Sequence, residues 1–267
     1  MNQDQVKAAL LAIEEAPLEF TVVFSGKKSK KVNGLYKSET REIIIHNRNF
    51  SDENLLLYTA IHEYAHHLHA CSRGGSLSSR AHTAEFWAIL HGLLEKAEAK
   101  NIYKNVFDRS PELTELTTLI QKKYLYENGG LVKELGRQLL RANELCTAIG
   151  GRFEDYLDRV LRIPRVAARM SMKMYQYDLD PAVGPDNMRF LAGIKNDERR
   201  LAAESALKAG KSPDTVKVGS RPRPPEQDPR EHLEKEKARL ERTIASLSKR
   251  LKEVETALAG EPGAGVF

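Results

Sequence analysis

Cysteine is nearly absent from the chain. Cys71 and Cys146 are the two present, too few for a disulfide framework and not spaced as a Cys-x-x-Cys pair. This excludes a small fold stapled by cystines and suits a reducing compartment, so a cytoplasmic location is expected. Aromatic residues make up 7% of the chain against 30% charged, which points to a helical protein with a modest core. No apolar run approaches the roughly 18 residues that a membrane-spanning helix requires, so no membrane partner is expected. Residues 1–20 carry Asp4, Glu14, Glu15 and Glu19 and lack the basic-then-apolar layout of a signal peptide.

A large excess of one charge is also missing. The net charge is +5, and residues 1–128 balance 16 Lys and Arg against 16 Asp and Glu, so the whole excess lies beyond them. That asymmetry is compatible with an acidic partner such as DNA for the second half, and equally with a solvated basic surface.

What is present divides into regions. Residues 3–15 read as a short amphipathic helix. Leu18 to Phe24 and Arg41 to His46 read as strands, with Gly34-Leu35-Tyr36 as a third between them. The intervening segment carries Lys27, Lys28, Lys30 and Lys31 and the turn signal Asn33-Gly34. Asp52 can cap a helix that runs through Leu68 or a little beyond and ends before Gly74-Gly75. A second helix follows from about Thr83 to Lys100, and a third over about 111–126, with a break at Glu127-Asn128-Gly129-Gly130.

From Leu131 the pattern is helical as far as residue 209, and 153–174 is compatible with a helix-turn-helix. Region 131–175, with nine Lys and Arg against five Asp and Glu, is where DNA contacts would fall; Arg162, Arg165, Arg169 and Lys173 lie on or near its second helix. A plain helical bundle with solvated arginines fits the same residues. Residues 210–227 are rich in Pro and Gly and read as a linker. Asp228 can cap the last helix, 228–260, and Glu231 can complete a capping box. Along it Leu233, Leu240, Ile244, Leu247, Leu251, Val254 and Leu258 form a coiled-coil seam of about three heptads. The seam, 233–258, could self-associate or fold back on the rest of the chain.

The chemistry is concentrated in Ile61-His62-Glu63-Tyr64-Ala65-His66, an H-E-x-x-H motif inside the helix that starts after Asp52. Helical residues four apart sit about 40° apart in azimuth and one turn apart in height, so His62 and His66 can offer two imidazole nitrogens to one Zn2+. Glu63 is turned by about 100°, beside the metal, where it can take a proton from a metal-activated water. A catalytic zinc needs a third protein ligand and an open position. His82, at the start of the next helix after the Gly74-Gly75 turn, is the leading candidate, and Glu85, one turn further on, is the alternative. His67 points to another side of the helix and His69 lies a turn too far along, so both read as solvated or supporting residues. A short motif carries a risk of chance occurrence. Here five of the eight histidines lie between 62 and 82, which lowers that risk.

The run His62-Glu63-Tyr64-Ala65-His66-His67, followed by His82-Thr83-Ala84-Glu85-Phe86-Trp87, resembles the SprT-like and YgjP-like zinc metallopeptidases. In those families H-E-x-x-H precedes a His-x-x-x-Phe pattern, and His82 and Phe86 stand in its positions here. The resemblance covers about residues 18–100. It implies a zincin-like domain with His62, His66 and His82 as ligands and Glu63 as general base. SprT-like proteins often carry a downstream cysteine-based zinc ribbon, which this chain lacks. ImmA-like peptidases place a Glu third, which keeps Glu85 open.

The expectation is therefore an α+β protein: a zincin-like metallopeptidase domain over 1–125, a helical region over 131–209, a linker and a coiled-coil helix. Its substrate would be a protein or peptide. The rival is a DNA-binding or scaffolding protein whose zinc is structural or vestigial. A third reading keeps the site and hydrolyses a non-peptide amide.

Overall fold

Helix α1 (Gln3–Ile13) begins where the Asn2 side chain accepts from the Gln5 amide and Gln5 answers on the Asn2 amide. Its buried residues Val6, Leu10 and Ile13 recur at helical spacing and face a small sheet. The structure, a computed structural model, describes residues 1–73, 81–221 and 229–259. It is an α+β arrangement, mostly helical, in two compact units, Met1–Arg221 and Pro222–Phe267.

The sheet has strands β1 (Thr21–Phe24), β2 (Gly34–Lys37) and β3 (Glu42–Ile45) in the order β1-β3-β2. β3 is central, parallel to β1 and antiparallel to β2, with Phe24 and Gly34 both opposite Ile45. The chain from β1 to β2 therefore crosses the end of β3. Ile43 and Ile45 are fully buried, and Val22 and Tyr36 join them in a core shared with α2 (Glu53–Ser72) and α3 (Ala84–Ala99).

Asp52 caps α2 by accepting from the Leu55 amide, as its sequence position suggests. Because α2 packs against both the sheet and α3, it is buried on more than one side; Ile61, Ala65 and Leu68 are buried, and so are Leu56, Leu57 and Tyr64. Thr83 caps α3 by accepting from the Phe86 amide, and Phe86, Leu90, Leu93 and Ala97 turn inward.

Beyond α3 two sequence expectations change. No helix end occurs at Glu127–Gly130: α4 (Pro111–Leu119) passes through a wide π turn (Ile120–Tyr126) directly into α5 (Glu127–Ala148). Glycine costs a helix about 1 kcal/mol relative to alanine. Here the lack of a side chain serves packing, since a Cβ on Gly129 would lie 2.9 Å from the Pro181 carbonyl and one on Gly136 would lie 2.0 Å from that of Ser171. Burying Leu139, 2% exposed, contributes about 1.5–3 kcal/mol and offsets much of the propensity loss.

The stretch read as a linker also contains a helix, α10 (Pro213–Gly219), which packs against α3 with Val216 buried. Gly74-Gly75, residues 222–227 and the Asp228 cap lie outside the described residues.

Between these elements, α6 (Phe153–Asp155) runs on through Tyr156–Leu161, turns at Arg162 in the left-handed conformation, and leads into α7 (Arg165–Gln176). Leu157 and Ala168 hold this turn against Leu139 of α5. Helices α8 (Pro185–Ala192) and α9 (Asp197–Lys208) complete the unit around Met174, Met188 and Leu191.

The described residues of the second unit form one helix, α11 (Pro229–Ala259), with Leu233, Leu240, Ile244, Leu247, Leu251 and Val254 exposed; the side chain of Leu258 lies outside the described set. No described helix is long and apolar enough to cross a membrane.

Candidate metal centre

Two helices and one strand supply the site. His62 and His66 project from α2 one turn apart, and His82 meets them just before α3 begins. One nitrogen from each imidazole lies within 4.8 Å of the others. His62 Nε2 and His82 Nε2 are 3.2 Å apart. Burial grades across the group, with His66 buried, His62 intermediate and His82 exposed, so the cluster opens to solvent on the His82 side.

Phe86, fully buried, is the floor. Its ring stacks on His66 at 4.2 Å and meets His62 and His82 edge-on at 5.0 and 4.8 Å. Trp87 stacks on the outer ring, His82, at 5.5 Å. The aromatic pair therefore fixes ring orientations that helix phase alone leaves free.

The electrostatics favour a metal. Burial, with the neighbouring His82, lowers the His62 pKa; burial, with His62, His82 and His69, takes that of His66 down to about 3. Both rings are thus held neutral, the form in which imidazole ligates. His66 Nδ1 is buried without a hydrogen-bond partner among the described residues. The three histidines could hold a metal ion.

Glu63 sits beside this group, 7% exposed, and burial raises its pKa to about 7 against a smaller lowering by the Tyr36 amide. The strand comes very close to it. A Cβ on Gly34 would lie 2.9 Å from both Glu63 Cγ and Oε1 and from Thr59 Cγ2, so β2 approaches α2 only because residue 34 has no side chain. Read from sequence, Gly34 is a turn signal; its place inside a strand-like run was the available hint of a close approach.

Glu85 is not in the group. Its carboxylate pairs with Arg221, beyond α10, and its pKa is held low chiefly by its own amide in the first turn of α3, with Thr83 and Arg221 adding.

The other two histidines of α2 are not solvated. His67 is fully buried, its Nε2 3.0 Å from the Leu18 carbonyl and its Nδ1 3.0 Å from the Tyr36 hydroxyl, tying α2 to the sheet. His69 is 2% exposed with neither nitrogen partnered among the described residues, and lies 6.4 Å from Phe86. Helix phase put both off the metal; the packing on both sides of α2 is what buries them.

Comparison with protein-family models, curated proteins and solved structures gives no match.

Proposed function

We propose that the chain is a zinc-dependent metallopeptidase of zincin-like, SprT-like or YgjP-like type. The reading rests on one observation: three imidazoles converge from α2 and the start of α3 with a buried carboxylate beside them. Zinc suits an all-imidazole set, and three ligands leave a position open, whereas a structural site closes with four. Bound there, zinc would polarise a carbonyl and acidify water.

The chain's own residues supply the rest. His62, His66 and His82 hold the ion, and Phe86 and Trp87 keep their rings in place. Glu63, with its pKa near 7, takes a proton from the attacking water at its carboxylate and can return it to the leaving amine. Among the described residues β2 is bonded to β3 on one side only, so its other edge, next to Glu63, can align an extended peptide. Two free cysteines accord with a reducing, cytoplasmic setting. The exposed seam of α11 would pair with a second copy as a coiled coil.

The test is zinc content of the purified chain beside His66→Ala and His82→Ala, followed by peptide cleavage with Glu63→Gln as control. About one zinc per chain, lost in both histidine variants, with cleavage absent in Glu63→Gln, is expected. Zinc kept without His82 would remove His82 as a ligand.

A DNA-binding reading has one observation in its favour. Arg162 and Arg169 are exposed without an ion pair among the described residues, whereas Arg165 is held by Asp158. It predicts salt-sensitive DNA binding that survives Glu63→Gln, with no peptide cleaved.

A further inference from the structure

The connection from β1 to β2 carries Lys27, Lys28, Lys30 and Lys31, all exposed. No ion pair engages any of the four among the described residues. Four like charges in five positions repel one another, and an acidic partner would relieve that repulsion.

The segment is built to hold a shape. The Asn49 amide brackets Ser29, accepting from its N–H at 2.9 Å and donating to its carbonyl at 2.8 Å, and also donates to Asn33 Oδ1 at 2.9 Å. Asn47 Oδ1 accepts from the Gly26 amide at 3.0 Å, and Ser29 Oγ accepts from the amides of Lys31 and Val32. The backbone is thereby fixed across the end of β3 while the ammonium groups face solvent.

Its position gives the charge a use. Lys31 precedes Gly34, which abuts Glu63, by three residues, no more than about 10 Å of chain. A peptide lying along the open edge of β2 would run its flank past the β2 end of this loop, where Lys31 and Lys30 are the nearest of the four along the chain. We infer that the lysine loop selects peptide substrates carrying acidic side chains a few residues to one side of the bond to be cleaved. This rests on the peptidase reading of the neighbouring site. An extended peptide is favoured over nucleic acid because the lysines occupy a single short loop continuous with a strand edge, whereas duplex phosphates call for a broader basic face.

The experiment uses the full chain loaded with zinc and bearing Glu63→Gln, so that binding is read without turnover. The probes are fluorescein-labelled peptides with a common Ala/Leu/Gly core and four Glu or four Gln on one flank, made in both flank orders. In one order the Glu peptide should bind about tenfold tighter than its Gln counterpart, with the difference shrinking as salt is raised. Adding K27Q/K28Q/K30Q/K31Q should abolish the difference, and the corresponding four Glu substitutions should shift preference to a Lys-flanked peptide. Equal binding of the Glu and Gln peptides, or a preference that survives the Gln variant, would overturn the inference. A duplex oligonucleotide that outcompetes the Glu peptide at the same lysines would overturn it in favour of nucleic acid. Cleavage by the chain with Glu63 intact is scored separately. Lysine-dependent binding without cleavage of any peptide supports the loop's selectivity and removes the peptidase reading.

Discussion

Helices α2 and α11 both carry apolar residues at helical spacing, and the structure treats them in opposite ways. In α2 the apolar residues meet the sheet on one side and α3 on another, so Ile61 is fully buried and Leu68 is 8% exposed. In α11 the same kind of residue stays in water: Ile244 is 62% and Leu247 64% exposed. Periodicity states which face a helix will bury and is silent about what it buries against. The enclosed helix can carry a buried carboxylate and neutral imidazoles because its surroundings exclude water. The described apolar residues of the open one face solvent instead.

The largest effects should come from the enclosed helix. Glu63→Gln keeps the three imidazoles and removes the proton acceptor, so peptide hydrolysis should fall by about 10²–10⁴-fold with zinc content unchanged. Measuring rate and metal on one preparation checks both halves; lost zinc would make Glu63 part of the metal's support instead. Gly34→Ala is the next test. Its Cβ would lie 2.9 Å from Glu63 and Thr59, so the carboxylate or the strand must shift. Overpacking of this kind costs about 1–3 kcal/mol. Misplacement of a catalytic group can cost up to about 100-fold in rate. Thermal melting and turnover should therefore both drop while zinc stays bound.

Leu247→Asp addresses the open helix and should leave rate and metal untouched. If α11 pairs with a second copy, sedimentation should show dimer for the unaltered chain and monomer for the variant. A unaltered chain that sediments as a monomer would mean the seam is covered in some other way.

Much of the enclosed region was legible because its signals are local. Asp52 caps, the H-E-x-x-H spacing lies within one helix, and His82 directly precedes the capped start of α3. The parts that were not legible depend on what comes from far along the chain. Gly129 reads as a break until Pro181 is seen against it, and Gly34 reads as a turn until Glu63 is. Helix α10 could have been found: Ser212 accepts from the Thr215 amide and Pro213 takes the first position, a strong start signal masked by the surrounding Pro and Gly. Burial of His67 and His69 was out of reach, because it needs a second packing surface on α2 that the low contrast between its faces does not announce.

The smallest expected effect concerns the metal-free chain and its response to pH, where Glu63 and His66 pull in opposite directions. The Glu63 pKa rises from 4.5 to about 7 on folding. Its contribution to stability is therefore complete below 4.5 and is lost as pH climbs through 7. His66 falls from 6.5 to about 3, so its contribution is complete above 6.5 and is lost as pH drops toward 3. Replacing Glu63 by Gln removes the first of these alone. Without metal, Glu63→Gln should then be more stable than the unaltered chain at pH 8, by roughly 1–3 kcal/mol, with the gap closing by pH 4. Melting curves of chelator-treated protein at the two pH values make the comparison, and α11, whose described side chains are exposed, should contribute nothing to the difference. A gap that persists at pH 4 would mean that the glutamine acts through packing, and that the carboxylate is not kept from water as tightly as its position against Gly34 implies.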